Sequence, residues 1–265
     1  MEQTPSSDVV LRIESVNRTY ADENGNTVDA LRDVSLYVRR GELICIIGSS
    51  GCGKTTLLRL IAGLDAPESG KLALNGENIT GPAPQRGYVF QQGNLFPWLT
   101  VEKNIASGLK ARGVYKEHKS DVADYIDLIG LNGFAKAYPH QISGGMAQRV
   151  AIARALINHP DVLLLDEPMG ALDSFTRADL QEKLLELQKK HQTTMAFVTH
   201  DVDEAIYLSD RIVIMTPRPG KISEIIAMKL PHPRNRGGQE FLSLRQEILE
   251  KLHLASAAPQ PEYNI

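Results

Sequence analysis

The chain has 265 residues, 42% of them hydrophobic and 23% charged, which suits one large or two small domains with a core of ordinary size. A formal net charge of −3 gives no positive field to attract nucleic acid or an acidic membrane surface, so we expect no nucleic-acid partner. The N-terminus is polar and acidic, and no run of about 18 apolar residues occurs. We therefore expect a chain that is neither secreted nor membrane-spanning.

The predicted elements alternate between strand and helix patterns. Period-2 alternation predicts strands over Val9–Val16 and Val34–Val38, with a turn at Asp22–Asn26. Further strands are predicted at Leu43–Ile47, Lys71–Gly76, Gly87–Phe90, Val162–Leu165, Thr194–Val198 and Ile212–Met215. Helices are predicted at Thr56–Ala62, Val101–Lys110, His118–Ile129, Met146–Asn158, Phe175–Lys190, Val202–Leu208 and Phe241–Leu252. The pattern indicates an α/β protein with a helical insertion in its middle third.

The strand at Leu43–Ile47 runs directly into a glycine-rich loop and then a helix. Glycines let backbone N–H groups curl around an anion, and a helix N-terminus adds its dipole. The residues of this predicted phosphate-binding P-loop are Gly48, Ser49, Ser50, Gly51, Cys52, Gly53, Lys54 and Thr55, followed by Thr56. We expect Lys54 to reach the β- and γ-phosphates and the Thr55 hydroxyl to bind Mg²⁺. A kinase, a GTPase or a motor could carry the same loop.

Both cysteines, Cys45 and Cys52, lie in or beside this loop. A disulfide there would distort the loop, which favours a reducing compartment. Because Cys52 precedes a helix N-terminus, we expect a reactive thiolate at this position.

A second candidate site follows the apolar strand Val162–Leu165. Asp166 and Glu167 come where that strand ends, at the edge of the sheet that would carry the phosphate loop. We expect Asp166 to help hold Mg²⁺ and Glu167 to polarise an attacking water as general base. An acidic turn after a strand is also common in α/β proteins, so Asp166 and Glu167 indicate a catalytic site only in combination with the P-loop.

A third motif opens the helix after Ile142. A second helix N-terminus that could bind an anion is formed by Ser143, Gly144 and Gly145. One nucleotide does not need two such sites in one subunit, unless the second site binds the nucleotide of a neighbouring subunit. An ordinary serine cap with flexible glycines would also explain this start.

Taken together, these motifs resemble the nucleotide-binding subunit of an ABC transporter over essentially the whole chain. The matching residues are Gly48–Thr55, Gln91, Ser143–Gly145, Asp166, Glu167, Ala171–Asp173 and His200. The resemblance implies an α/β fold: a RecA-like P-loop NTPase core with an N-terminal antiparallel β subdomain and an inserted helical subdomain. It implies residues 1–94 and 161–230 as core, 95–160 as the helical insertion, and 231–265 as a linker with a C-terminal amphipathic helix.

The resemblance also implies residue roles and cofactors. ATP and Mg²⁺ are the expected cofactors, with Tyr20 stacking on adenine and Gln91 joining Thr55 and Asp166 at the metal. His200 is expected to touch the γ-phosphate, and Asp173 to help two sites communicate across a dimer. Pattern alone leaves Tyr20 open, since a tyrosine at a strand end needs no ligand. Ile142, Met146 and Gly170 depart from the commonest family residues (Leu, Gln and Ser), and none removes a catalytic group.

The family further implies partners. Two subunits, identical or homologous, would sandwich two ATP molecules, each meeting one P-loop and the other chain's Ser143–Gly145. The segment Leu95-Phe96-Pro97-Trp98-Leu99-Thr100-Val101, Met146 and the Leu230–Arg234 segment resemble importer subunits for nitrate, sulfonate, taurine and related solutes.

That resemblance places the subunit at the cytoplasmic face of the cell membrane. It would act there with integral-membrane permease subunits and, indirectly, with an extracytoplasmic solute-binding protein. We expect the permease to contact Leu95-Phe96-Pro97-Trp98, although the same cluster could pack within the helical insertion. Two other classes stay open: a soluble ABC protein of DNA repair or translation, and a regulatory module that binds ATP without hydrolysing it.

Overall fold

A computed structural model describes residues 8–21, 25–170 and 172–257. The expected turn residues Asp22, Glu23 and Asn24, and Ala171 of the Ala171–Asp173 motif, lie outside the described residues. In the described part, no helix combines the length and apolar character needed to cross a membrane.

Strands and helices follow the predicted order. The strands are β1 (Val9–Ala21), β2 (Thr27–Arg39), β3 (Leu43–Ile47), β4 (Ser69–Leu74), β5 (Glu77–Asn78), β6 (Arg86–Val89), β7 (Val162–Asp166), β8 (Thr194–Val198), β9 (Arg211–Met215) and β10 (Ile222–Ala227). The α-helices are α1 (Lys54–Ala62), α2 (Val101–Ile105), α3 (Ser107–Ala111), α4 (Asp121–Leu128), α5 (Gly144–Leu156), α6 (Ser174–His191), α7 (Val202–Leu208) and α8 (Gln239–Ala257). Short 3₁₀ helices span Asn132–Phe134 and Pro139–Gln141.

One expected element differs, because the helix predicted over Val101–Lys110 is divided into α2 and α3 at Ala106. The strands β5 and β10 were not predicted. Two compact units make up the chain, one formed by the chain up to Pro82 together with the chain from Thr194 onward, and the other spanning Ala83–Thr193.

The first unit contains an antiparallel sheet and a mixed sheet. The antiparallel sheet has the order β2-β1-β4-β5. In the mixed sheet, β3 pairs in parallel with β8 on one side and β9 on the other, and β10 pairs antiparallel with β9. Every residue of β3, β8 and β9 is buried, as expected for parallel strands covered on both faces. This is the core that ends at the P-loop.

The second unit combines the parallel pair β6 and β7 with five of the helices. All five residues of β7 are buried. Leu180, Leu184 and Leu187 are buried along one face of α6, as the helical spacing predicts. Register places Val89 beside Leu165, so the residues following both strands emerge at one edge of this pair.

Candidate nucleotide site

The P-loop has the sharp backbone turns that its glycines predict. Gly51 and Gly53 have φ of 76° and 99°, a region that residues with a side chain rarely adopt. A Cβ at Gly53 would also lie 2.7 Å from the Ala30 carbonyl oxygen, and one at Gly48 would lie 2.9 Å from that of Met215. Glycine is therefore required by conformation at Gly53 and by close packing at Gly48.

Lys54 crosses the inside of the loop rather than pointing to solvent. Its side chain is buried, and its ammonium donates to the carbonyl oxygens of Gly48 at 2.9 Å and Ser49 at 3.0 Å. A positive charge is thus held within the curve of the backbone, where a phosphate group would meet both the ammonium and the start of α1.

The structure contradicts the expected reactive thiolate at Cys52. Both cysteines are free and buried. Burial raises the pKa of the Cys52 thiol, and the opposing effect of Lys54 does not cancel it. Because the thiol is buried and protonated, we expect slow alkylation, and the prediction from helix position alone was wrong.

His200 lies at the same sheet edge as the P-loop. The register pairs Ile46 with Val198, and the Thr199 backbone N–H donates to the Ile46 carbonyl at 3.3 Å. The hydroxyl of Thr199 donates to the buried Glu204 carboxylate at 2.6 Å, which fixes the turn before α7. An exposed His200 is therefore carried on a turn anchored to the strand that precedes the phosphate loop.

Tyr20 is held by two neighbours that the sequence did not reveal. Its hydroxyl donates to Asp65 at 2.6 Å, and the Arg18 guanidinium lies 4.6 Å from its ring centre. Arg18 also pairs with Asp65 at 2.8 Å. Burial raises the pKa of Asp65, but the hydrogen bonds from Tyr20 and the Ala66 backbone, with the charge of Arg18, outweigh it and hold that pKa below its usual value. The ring is oriented and partly exposed, with Arg18 over one face.

In the second unit, four polar side chains form two hydrogen-bonded pairs at the edge where β6 and β7 end. Asp166, the last residue of β7, accepts a hydrogen bond from the Tyr88 hydroxyl at 2.9 Å. The Gln91 side-chain amide donates to Glu167 at 3.2 Å. Glu167 has a φ of 44°, a conformation uncommon for a residue with a side chain. The structure therefore brings Gln91 to the expected general base, across 76 residues of sequence.

The serine and glycines at the start of α5 serve different purposes. The Ser143 hydroxyl accepts from the Met146 backbone N–H at 3.2 Å, which is ordinary helix capping. A Cβ on Gly145 would lie 2.2 Å from Thr176 of α6, so packing within the chain requires this glycine. A Cβ on Gly144 would meet none of the described residues within 4 Å, so their packing does not account for this glycine.

Asp173 caps the next helix. Its carboxylate accepts from the backbone N–H groups of Phe175 and Thr176 and from the Thr176 hydroxyl. The bond from the Thr176 hydroxyl and those from the backbone lower the pKa of Asp173. Capping explains its position, and its exposure leaves the carboxylate accessible.

The aromatic segment after Gln91 is exposed rather than packed inward. Trp98 is 70% exposed and Phe96 40%, and their rings lie 5.6 Å apart. The buried Asn104 fixes the backbone beneath them by donating to the carbonyls of Phe96, Leu99 and Thr100. The alternative that this cluster packs within the helical insertion is wrong for Trp98.

Sequence reasoning missed the residues that orient the predicted ones, namely Tyr88, Asp65 and Arg18. Arg18 lies two residues before Tyr20 on β1, so strand alternation could have suggested it, whereas Tyr88 lies on β6, which ends before Gln91. Asp65 gave no local signal, because it follows a helix 45 residues from Tyr20.

The fold and these loops define an α/β P-loop nucleotide-binding protein. A family model described as ABC transporter matches residues 31–170, and the chain belongs to that family. It is an ATP-binding cassette and an ATPase of that family.

Curated relatives match nearly the whole chain. The aliphatic sulfonates import ATP-binding protein SsuB of Bacillus cereus is 49% identical over 243 residues, covering 92% of this chain and 96% of the relative. The nitrate import ATP-binding protein NrtD of Synechocystis sp. is 45% identical over 231 residues, covering 85% of this chain and 86% of the relative.

The fold is also similar to that of a solved ATP-binding cassette. The ATP-binding cassette MJ0796, in a dimeric post-hydrolysis state bound to ADP and Pi, gives a TM-score of 0.73 at 31% identity, covering 83% of this chain and all of that one.

Proposed function

We propose that this chain is the ATP-hydrolysing subunit of a multi-subunit importer for a small oxyanionic solute such as a sulfonate or nitrate. The observation that carries the proposal is the 49% identity to SsuB, which extends over 96% of that relative's length. A soluble ABC protein of DNA repair or translation gains no support from such a match.

ATP binding by this chain would begin at the P-loop. Lys54 and the N-terminus of α1 fit a phosphate group, since the loop is curved by its glycines and the ammonium is already directed into that curve. Tyr20 would stack on adenine with the ring face that Arg18 leaves open. His200 would contact the γ-phosphate from the turn after β8.

The donor set suits Mg²⁺ as well. Thr55, Gln91 and Asp166 offer hydroxyl, amide and carboxylate oxygens, which are the ligands that this hard cation prefers. Because the Gln91 amide nitrogen is bonded to Glu167, its oxygen is the atom that would serve a cation. The cation would neutralise phosphate charge when bound.

Glu167 would act as the general base. Its carboxylate is held by Gln91 and sits on a strained turn directly after the buried β7, so its position is fixed. It would accept the proton of the attacking water, and Gln91 would keep the carboxylate oriented.

A second subunit would complete the site. We propose that Ser143, Gly144 and Gly145 face the nucleotide of a partner cassette, identical or homologous, and that Asp173 lies at the same interface. The open space around Gly144 supports this role, since none of the described residues would lie within 4 Å of a Cβ there. ATP would then favour the closed dimer because it contacts both subunits only when they are closed.

The membrane partners would be permease subunits that dock on Leu95-Phe96-Pro97-Trp98 at the cytoplasmic face of the membrane, with a solute-binding protein acting through them. Exposed aromatic side chains on a backbone fixed by Asn104 suit a stable docking site.

Reconstitution tests the proposal. The subunit, its permease and its solute-binding protein are placed in liposomes, and ATPase activity is measured with alkanesulfonates, taurine and nitrate. We expect one solute class to stimulate hydrolysis several-fold, and omission of the binding protein to remove the stimulation. ATPase activity that is indifferent to permease, binding protein and every solute would contradict an importer.

A further inference from the structure

Two histidines and an aspartate come together in the second unit, and none of them belongs to the nucleotide motifs. His118, Asp121 and His159 each offer a donor atom, and these three atoms lie within 4.8 Å of one another. Within the described ranges of the chain, this is the one group of three His, Cys, Asp or Glu side chains with such spacing. It joins the start of α4 to the segment that follows α5.

The three side chains are positioned by specific contacts. The His118 Nδ1 atom lies 2.9 Å from Asp121 Oδ2, and the rings of His118 and His159 are 6.3 Å apart. The His159 ring stands edge-on to Tyr125, whose hydroxyl donates to the Leu156 carbonyl at 3.1 Å. Since Tyr125 is buried, it provides a rigid wall beside His159.

The electrostatics keep the carboxylate available as a ligand. The hydrogen bond from His118 lowers the pKa of Asp121, and the nearby His159 adds to the effect. Asp121 can offer a carboxylate oxygen, and each imidazole has a ring nitrogen that can bind a metal. A plain His118–Asp121 ion pair on a helix surface would not account for the third side chain.

We propose that His118, Asp121 and His159 bind a divalent transition-metal ion of the Zn²⁺ class. Two imidazole nitrogens and one carboxylate oxygen are ligands that Zn²⁺ accepts, whereas Mg²⁺ and Ca²⁺ prefer oxygen alone. Tetrahedral bonds of about 2.0–2.2 Å require donor atoms about 3.3–3.5 Å apart, so the donors must approach by roughly 1.5 Å at most. Rotation of the exposed His159 side chain supplies that movement, and water completes the coordination.

The position of His159 gives the site a consequence for the rest of the unit. It lies in the short connection between α5, which begins at Gly144, and β7, which ends at Asp166. A bound cation would tie this connection to the start of α4. α5 begins with Gly144 and Gly145, and β7 leads directly to Glu167, the proposed general base, so metal binding would stiffen the segment that links them.

Cobalt binding tests the proposal directly. Tag-free protein with excess Mg²⁺, which saturates oxygen-rich sites, is titrated with Co²⁺ and followed by visible absorption. We expect one equivalent to bind with the intense bands of a four- or five-coordinate ion, and Zn²⁺ to displace it. His118→Gln and His159→Asn should each weaken binding at least about 10-fold. Asn suits position 159 because that residue has a φ of 50°.

Controls separate this site from general surface binding. His140→Gln, at an exposed histidine of the same unit, should bind Co²⁺ like the unmodified protein. Circular dichroism establishes that each variant is folded, and Asp121→Asn replaces any variant that is not. The proposal is overturned if the folded protein binds no Co²⁺, if binding survives His159→Asn, or if His140→Gln weakens it equally. The readout is metal binding, so it is independent of ATPase activity and of the function proposed above.

Discussion

Lys54 is the residue on which nucleotide binding should depend most directly. Its ammonium lies inside the loop and would make charge-assisted bonds to phosphate. We expect Lys54→Ala to weaken ATP binding at least about 30-fold, since such bonds contribute about 2 kcal/mol. Fluorescence titration with a labelled ATP analogue measures this. Lys71→Ala, at an exposed strand position, is the control, and unchanged affinity in Lys54→Ala would contradict the role of the P-loop.

Glu167 should affect turnover without affecting binding. Glu167→Gln keeps an oxygen that can accept from Gln91 but loses the basic carboxylate. We expect ATP affinity to stay within about twofold, hydrolysis to fall at least about 100-fold, and an ATP-bound dimer to accumulate. Steady-state phosphate release and size-exclusion chromatography measure both effects. Glu182→Gln, exposed on α6, should change neither, and near-normal hydrolysis in Glu167→Gln would place the base elsewhere.

Tyr20 allows its two contacts to be tested separately. Tyr20→Phe keeps the ring but removes the hydroxyl bond to Asp65, whereas Tyr20→Ala removes both. If the ring stacks on adenine, Tyr20→Phe should retain its affinity for ATP. Tyr20→Ala should bind ATP about 5- to 100-fold more weakly, which is the usual contribution of base–aromatic stacking. Isothermal titration with ATP measures this. Equal losses in the two variants would show that the hydroxyl, and not the ring face, matters.

Residues close in sequence were the predictable part of the site. The loop from Gly48 to Lys54 and the pair Asp166–Glu167 are consecutive, so their chemistry follows from local pattern. The partners of those residues were not predictable, because Gln91–Glu167 and Tyr88–Asp166 depend on how β6 and β7 are registered. A one-residue shift in that register would send each side chain to the other face.

At the level of elements, two differences between the predicted and the observed secondary structure have local causes. The helix expected at 101–110 breaks because the Ser107 hydroxyl donates to the Asn104 carbonyl, in competition with the helical pattern. The adjacent Gly108 comes so close to Asn158 that a Cβ would lie 2.5 Å away. The strand β10 was missed because it is an edge strand without a fully buried residue, and it forms by pairing with β9.

Alanine substitution at the two glycines that begin α5 should affect stability in opposite ways. Gly145→Ala would place its Cβ against Thr176, whose hydroxyl is bonded to Asp173 and cannot turn away, so we expect a loss of about 1–3 kcal/mol in the free energy of unfolding. Gly144→Ala meets nothing and improves helix propensity, so stability should hold or rise slightly. Urea denaturation measures both.

Gly144→Ala should nevertheless reduce ATPase activity at least about tenfold if a partner's nucleotide lies against it. Gly133→Ala, where a Cβ also meets nothing, is the matched control and should retain full activity. Full activity in Gly144→Ala would mean that this helix start is an ordinary cap, as the Ser143 bond alone would suggest.

For the whole molecule, the chain divides its chemistry between two units. The P-loop, Tyr20 and His200 belong to the first, while Gln91, Asp166, Glu167 and the α5 glycines belong to the second. On the function proposed above, ATP would contact a second subunit only in the closed dimer, so its binding and hydrolysis would convert binding energy into movement.

Transmission of that movement to a membrane partner should depend on Trp98. The ring is 70% exposed while its backbone is anchored through Asn104, so Trp98→Ala removes contact area without opening a cavity in the core. We expect unchanged stability and basal ATPase activity in the isolated subunit, but loss of most of the stimulation by solute in the reconstituted complex. Phe134→Ala, another exposed aromatic of the second unit, should keep full stimulation. If Trp98→Ala keeps it too, the permease docks on a different surface.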